Sequence, residues 1–156
     1  DSFENSDEQN RSLLPVSRQK IVLIIDDSIT VRNTLAETLQ KAGYSVVQAK
    51  EGTEAFQRLQ EIQIDAILCD LEMPGMNGFD FLKGRQQLPE IASIPTIMLT
   101  SRAGSKHQTL AKDLGADAYL TKPYLAPQLL ETLAAVFEEK LSHTPPQLKP
   151  VENSHA

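Results

Sequence analysis

Cysteine is almost missing from this chain, and that scarcity excludes one class of protein at once. With Cys69 alone among 156 residues, no internal disulfide framework can form, and the composition points to a reducing compartment. Long apolar runs are missing too. Nothing approaches the roughly 20 residues of a membrane span, and the first residues do not read as a basic-then-apolar signal. There is no run of Lys and Arg and no interleaving of basic with aromatic residues. Instead 21 Asp and Glu outweigh 15 Lys and Arg, for a formal net charge of −6. Such a chain lacks the electrostatic footprint of a nucleic-acid binder. Repeats and low-complexity segments are absent as well. The expectation is a cytoplasmic segment with no membrane insertion and no direct contact with nucleic acid.

What is present suffices for one domain: hydrophobic residues make up 40% of the chain, enough to bury a core. Residues 1–19 are polar without a sustained period and read as a flexible tail or linker. Because the chain starts at Asp1 rather than Met, it is expected to be processed or cut from a longer polypeptide. From Ile21 the pattern changes. Short apolar runs at 21–25, 45–49, 65–69, 95–99 and 118–121 read as strands covered on both faces. Between and after them, helical spacing places Val31, Leu35 and Leu39, then Ala55, Phe56 and Leu59, then Phe79, Phe81 and Leu82 on inward faces. Two further helices are expected over 105–114 and 127–141, the last burying Leu129, Leu130, Leu133, Val136 and Phe137. Five strands alternating with five helices predict an α/β fold, a doubly wound parallel sheet with helices on both faces. Ser28 is placed to cap the first helix and Gly43 to end it. After about residue 142, Pro145, Pro146 and Pro150 oppose further helix, and 142–156 is expected to be a disordered tail.

The chemistry-bearing residues cluster at strand ends. Asp26 and Asp27, Asp70, Thr100 and Lys122 each fall at or just past an apolar run. In a parallel sheet those ends share one edge, where open α/β folds bind ligands. Three carboxylates, a hydroxyl and an ammonium suit a hard divalent cation and a phosphoryl group. Most doubly wound folds cradle phosphate on a glycine-rich first turn. Here that turn carries two acids, which would repel a bare phosphate unless a cation intervened, Mg²⁺ or Mn²⁺ in its place. Read alone, the pair could equally cap the next helix. Asp70 adds a third carboxylate at the same edge and could itself act as nucleophile, forming an aspartyl-phosphate. Lys122 could pair with Asp70; Pro123 after it argues against a merely solvated lysine, since a cis bond there would set its direction. Cys69 reads as a small buried hydrophobe and Tyr119 as a half-buried strand residue.

Ile24-Ile25-Asp26-Asp27-Ser28, the stretch from Asp70 to Gly78 (Asp-Leu-Glu-Met-Pro-Gly-Met-Asn-Gly), Leu99-Thr100-Ser101 and Tyr119-Leu120-Thr121-Lys122-Pro123 resemble the CheY-like receiver domains of two-component response regulators, over about residues 20–141. The resemblance implies a flavodoxin-like five-stranded sheet in the order 2-1-3-4-5. It implies that Asp70 is the phospho-acceptor, supplied by a histidine kinase or phosphotransfer domain. Mg²⁺ would be held by Asp26, Asp27, Asp70 and the main-chain carbonyl of Glu72. Thr100 and Lys122 would bind phosphoryl oxygens, and Tyr119 would be the aromatic that turns inward when Thr100 moves. Glu72 and Arg102 occupy the flanking positions that tune the lifetime of the phosphorylated form, where an ion pair could shield the phosphoryl group from water. The output surface would be the fourth helix, fifth strand and fifth helix (here 105–114, 118–121 and 127–141), docking a downstream protein.

Three rivals share parts of this reading. A haloacid-dehalogenase-like phosphatase needs its nucleophile after the first strand and a substrate-binding cap. A flavin-binding module needs Ser, Thr or Gly donors where Asp26 and Asp27 stand. A degenerate receiver would lack some of the five site residues. Two parent architectures remain. The chain carries no helix-turn-helix, cyclase-type or phosphatase segment, as in a free-standing regulator. Its motif details and linker-like start resemble receivers fused to hybrid sensor kinases of the chemotaxis type, which is the expectation taken here. On either, the domain itself is expected to be a signalling switch with self-catalysed phosphoryl transfer and autodephosphorylation; whether the parent chain is an enzyme stays open, since a hybrid parent would be a histidine kinase.

Overall fold

Continuous apolar runs alternate with runs at helical spacing, and each becomes the element its pattern predicts. The computed structural model describes residues 18–143. Its order is β1 (Ile21–Ile25), α1 (Ile29–Lys41), β2 (Ser45–Ala49), α2 (Gly52–Glu61), β3 (Ala66–Asp70), α3 (Gly78–Gln86), α4 (Pro89–Ala92), β4 (Thr96–Thr100), α5 (Ser105–Asp113), β5 (Ala118–Thr121) and α6 (Ala126–His143). The strands form one parallel sheet ordered β2-β1-β3-β4-β5, the flavodoxin-like arrangement expected. The five expected helices are joined by a sixth, the single turn α4. Pro89 starts it, which its fixed φ favours, and buried Ile91 fastens it to the core.

Side chains alternate across the sheet, and the two faces bury different helices. Leu23, Ile25, Ile67, Cys69 and Met98 pack with Ala55 and Leu59 of α2, Phe81 and Leu82 of α3 and Ala111 of α5. Val22, Ile24, Leu68, Ile97, Leu99 and Leu120 pack with Leu35 and Leu39 of α1 and Leu129, Leu133 and Val136 of α6. Because the central strands are covered on both sides, their residues are fully buried over β3 and β4. Cys69 is one of them, 0% exposed, and burial holds its thiol well above the usual range, so the small-hydrophobe reading stands.

Carboxylates set the register at the opposite edge of the sheet. Asp65 accepts from the Ile21 amide at 2.7 Å, and Asp117 accepts from the Thr96 amide at 2.9 Å. Arg85 lies 3.9 Å from Asp117 with its side chain 3% exposed and donates to the Ile94 carbonyl at 2.7 Å. A strand pinned at its start delivers its last residue to a defined place, which is how the functional edge is positioned.

At α1, Ser28 accepts from the Val31 amide at 3.2 Å, and Gly43 follows the helix with φ of 99°, a conformation that favours glycine. Several boundaries differ from expectation: β3 and β4 each start and end one residue later than expected, so that Asp70 and Thr100 are their last residues, and the two ends of the domain differ as well. Arg18 and Gln19, read as tail, are tied down: Arg18 grips both oxygens of Asp65, at 3.1 and 2.9 Å, and Gln19 donates to the Gly43 carbonyl at 2.9 Å. Helix α6 runs to His143, two residues past the expected helix end at 141, because the first proline comes only at 145. Residues 1–17 and 144–156, where the remaining tail expectations fall, lie outside the described residues.

Candidate functional site

Strand pairing gathers the strand-end residues. Ile25 is opposite Cys69, so the next residues, Asp26 and Asp70, are neighbours across β1 and β3. Asp70 pairs with Leu99, and Thr100 pairs with Thr121, which brings Lys122 to the same edge. Alternation then sorts them by face. Asp70 shares a face with Leu99 and Leu120, and so do Asp26 and Lys122. Thr100 shares the other face with Met98 and Tyr119.

The first group forms a compact acidic pocket. Asp26, Asp27 and Asp70 can each offer an oxygen such that all three lie within 4.8 Å of one another. Asp26 and Asp70 are buried, 2% and 4% exposed, while Asp27 faces solvent. Lys122 donates to Asp70 Oδ1 at 3.2 Å and lies 4.0 Å from Asp26 Oδ2. The Lys122-Pro123 bond is cis. Three carboxylates against one ammonium leave two negative charges. Crowding and burial both resist this: Asp70 is pushed up to about 6, by burial first and then by the Asp26 charge, with Lys122 pulling the other way. Asp26 is raised as well, chiefly by burial. The Tyr124 hydroxyl is pushed up to about 12 by burial and by both acids.

Local backbone shapes the pocket wall. Asp26 Oδ1 accepts from the Ser28 amide at 2.8 Å, and Arg32 holds the Asp26 carbonyl at 2.7 Å. Asp26 Oδ2 is buried with no hydrogen-bond partner. A buried carboxylate oxygen left without a donor is costly, and a hard divalent cation would satisfy it. The all-oxygen donor set fits Mg²⁺ or Mn²⁺, and one such ion balances the two surplus charges.

Thr100 belongs to a second group on the other face. Its hydroxyl donates to Glu72 Oε2 and accepts from the Arg102 amide at 2.9 Å. Arg102 Nε is 3.5 Å from the same Glu72 oxygen, which realises the ion pair read as a possibility in the sequence. Tyr119 donates its hydroxyl to the Arg102 carbonyl at 2.8 Å; its ring is half-buried. Arg102 also meets His107 Nε2 at 3.3 Å, whose ring stacks on Phe79. The structure therefore unites Asp26, Asp27, Asp70 and Lys122 and turns Thr100, from the same edge, toward Glu72.

Sequence reasoning gave no site role to Arg32, His107 or Gly78. Arg32 carried a readable signal, standing one helical turn past the Asp26-Asp27 turn. Gly78 was visible only as a helix start. A Cβ there would lie 2.9 Å from the Asp70 carbonyl oxygen.

The family described as "Response regulator receiver domain" matches residues 22–134. A gliding motility regulatory protein of Myxococcus xanthus is 36% identical over 116 residues, 74% of this chain and 15% of that protein. The chain spans about half the length or less of this and several other curated relatives. The chemotaxis response regulator CheY4 of Vibrio cholerae superposes with a TM-score of 0.73 at 37% identity, covering 76% of this chain and 99% of that one. The signal receiver domain of a signal transduction histidine kinase from Syntrophus aciditrophicus does so with 0.67 at 29% identity, covering 80% and 92%.

Proposed function

This chain belongs to the response regulator receiver family, and on that footing we propose that it takes a phosphoryl group from the phosphohistidine of a histidine kinase or phosphotransfer domain onto Asp70. One observation carries the assignment. Asp70 is the carboxylate buried between Asp26 and the Lys122 ammonium, at the carboxyl edge where ligands bind in this fold. With its acidity near 6, it is mostly ionised at neutral pH and able to attack in line. The phosphorus–nitrogen bond to the donor breaks as the phosphorus–oxygen bond to Asp70 forms, and the imidazole nitrogen keeps the electron pair.

Asp26, Asp27, Asp70 and the main-chain carbonyl of Glu72 would hold Mg²⁺, with Mn²⁺ as substitute. When bound, the ion neutralises charge on the transferred group and on the three acids. Lys122 moves from Asp70 to a phosphoryl oxygen, and Thr100 binds a second one. Tyr119 then follows the Arg102 segment inward. The consequence is a change on the surface made by α5, β5 and α6, where Leu110 is an exposed apolar residue, and a downstream protein binds there. Ile29 and Leu125, 62% and 74% exposed, stand at the same sheet edge as the acidic pocket and suit contact with the donor protein.

A cytoplasmic receiver segment of a hybrid sensor kinase is the parent architecture we favour. The likeness to the Syntrophus kinase receiver supports it; a free-standing regulator is the alternative, supported by the likeness to CheY4. Among the described residues no helix is long and apolar enough to cross a membrane.

The test is intact mass after incubation with a small phosphodonor. A phosphate-sized gain is expected with Mg²⁺ and none when a chelator removes it; no gain with Mg²⁺ present overturns the assignment. The Glu72–Arg102 pair is expected to slow loss of the phosphoryl group by limiting water. Arg102→Ala should therefore shorten the phosphorylated form's half-life severalfold, followed by mass after the donor is removed. An unchanged half-life would count against shielding.

A further inference from the structure

Glu72 has a carboxylate with no part in the transfer step proposed above, where only its main-chain carbonyl is assigned to the metal. Yet that carboxylate is the centre of the second group. Oε2 accepts the Thr100 hydroxyl and pairs with Arg102 Nε at 3.5 Å, while Oε1 faces the Ser101 amide at 3.5 Å. Thr100 is 0% exposed, so its hydroxyl has no water to turn to. A threonine hydroxyl carries a single proton and can serve only one acceptor at a time. The Arg102 amide donates to the same hydroxyl at 2.9 Å, and the Tyr119 hydroxyl, which also lies in hydrogen-bond contact with Thr100, spends its own proton on the Arg102 carbonyl.

Resting on the phospho-acceptor reading above, we infer that Glu72 is a positioning residue that latches Thr100 in the unphosphorylated form. The switch is then a competition between the Glu72 carboxylate and the phosphoryl group on Asp70 for one hydroxyl proton. Phosphorylation wins it by supplying a more highly charged acceptor. Losing Thr100 frees Glu72 and Arg102 together, and with them the carbonyl to which Tyr119 is bound. Beside them lies a cavity of about 420 Å³, lined by Met73, Asn77 and Phe79 as well as Glu72 and Arg102, which gives the segment room to move.

The experiment uses beryllofluoride as a phosphoryl mimic, titrated at saturating Mg²⁺ into the wild type, Glu72→Ala, Thr100→Val and the double variant. Removing the latch should tighten binding about tenfold, the worth of one charge-assisted hydrogen bond. In the Thr100→Val background the same Glu72 change should do little, because no hydroxyl remains to release. Equal tightening in both backgrounds would mean that Glu72 acts only by charge repulsion and would overturn the latch. A second readout needs no phosphoryl mimic. Three-bond couplings at Thr100 should report one rotamer in the ligand-free wild type and averaging in Glu72→Ala; one unchanged rotamer in both would also overturn it. Failure of the wild type to bind beryllofluoride would sink the phospho-acceptor reading, and the couplings would still decide whether Glu72 holds Thr100.

Discussion

Replacing Asp70 with Asn is expected to abolish phosphate uptake and, in metal-free protein at neutral pH, to raise the thermal midpoint. The two effects have one cause. The position that would make Asp70 the nucleophile also makes its charge expensive, because it is 4% exposed and shares its site with Asp26. Its carboxyl is pushed up from 3.8 to about 6, so the folded state holds a proton more tightly than the unfolded one. The benefit of that proton is fully present below about pH 3.8 and is lost as pH rises through about 6. At neutral pH the folded protein therefore carries a penalty of up to about 3 kcal/mol from this one charge. Asparagine removes the charge while keeping the shape. A gain of several degrees is the expected scale for a domain of this size. The variant's stability should also vary less than the wild type's between pH 4 and 6, so the two melting curves converge as pH falls through that window. Mg²⁺ should narrow the gap from the other side, stabilising the wild type by mass action and the variant much less. Differential scanning fluorimetry across pH, with chelator or Mg²⁺, reads all of this. A variant less stable than the wild type at pH 7 without metal would refute the electrostatic account, and a phosphate-sized mass gain in Asp70→Asn would refute the acceptor assignment.

How far the site could be read in advance depended on which physical rule fixed each residue. Asp26, Asp70 and Lys122 were legible because a parallel sheet has a single carboxyl edge, and apolar runs locate strand ends without knowledge of any contact. The face each residue occupies was not. Register decides it, and register here is pinned by Asp65 and Asp117 at the far ends of the strands, a contact invisible in a local pattern. Thr100 was expected at the pocket and stands at its edge, but one place in the alternation turned it toward Glu72. Arg85 is a similar case: nothing in a helical stripe tells a buried arginine from a solvated one, since its burial depends on the Ile94 carbonyl and Asp117 arriving from elsewhere. Local caps were the easiest to foresee, Ser28 among them, because they need only neighbours in the chain.

Adding one methyl group at Gly78 should damage both the fold and the site. The residue is buried at the start of α3, where alanine would ordinarily be favoured by about 1 kcal/mol over glycine. Space reverses that preference. A Cβ would sit 2.6 Å from Met98 Cε, 2.8 Å from Leu71 Cα and 2.9 Å from the Asp70 carbonyl oxygen. The methionine tip can swing aside, but the other two contacts are backbone of the strand end that carries Asp70. The Gly78 amide is moreover tied to the Leu71 carbonyl at 2.9 Å, so helix and strand end cannot easily separate. Overpacking of this kind costs about 1–3 kcal/mol, and here the displacement falls on Asp70 itself. Gly78→Ala should therefore lower the urea midpoint by an amount equivalent to about 2 kcal/mol and slow phosphate uptake at saturating Mg²⁺ at least tenfold. Gly75→Ala is the control, three residues earlier in the same loop. Its φ is +76° with nothing within 4 Å of the added carbon, so it carries about 1 kcal/mol of backbone strain and displaces no neighbour. Loss of stability in both variants with slowed uptake only in Gly78→Ala would tie the close approach of α3 to the placement of Asp70. Uptake at the wild-type rate in Gly78→Ala would mean that Asp70 is positioned by its strand alone.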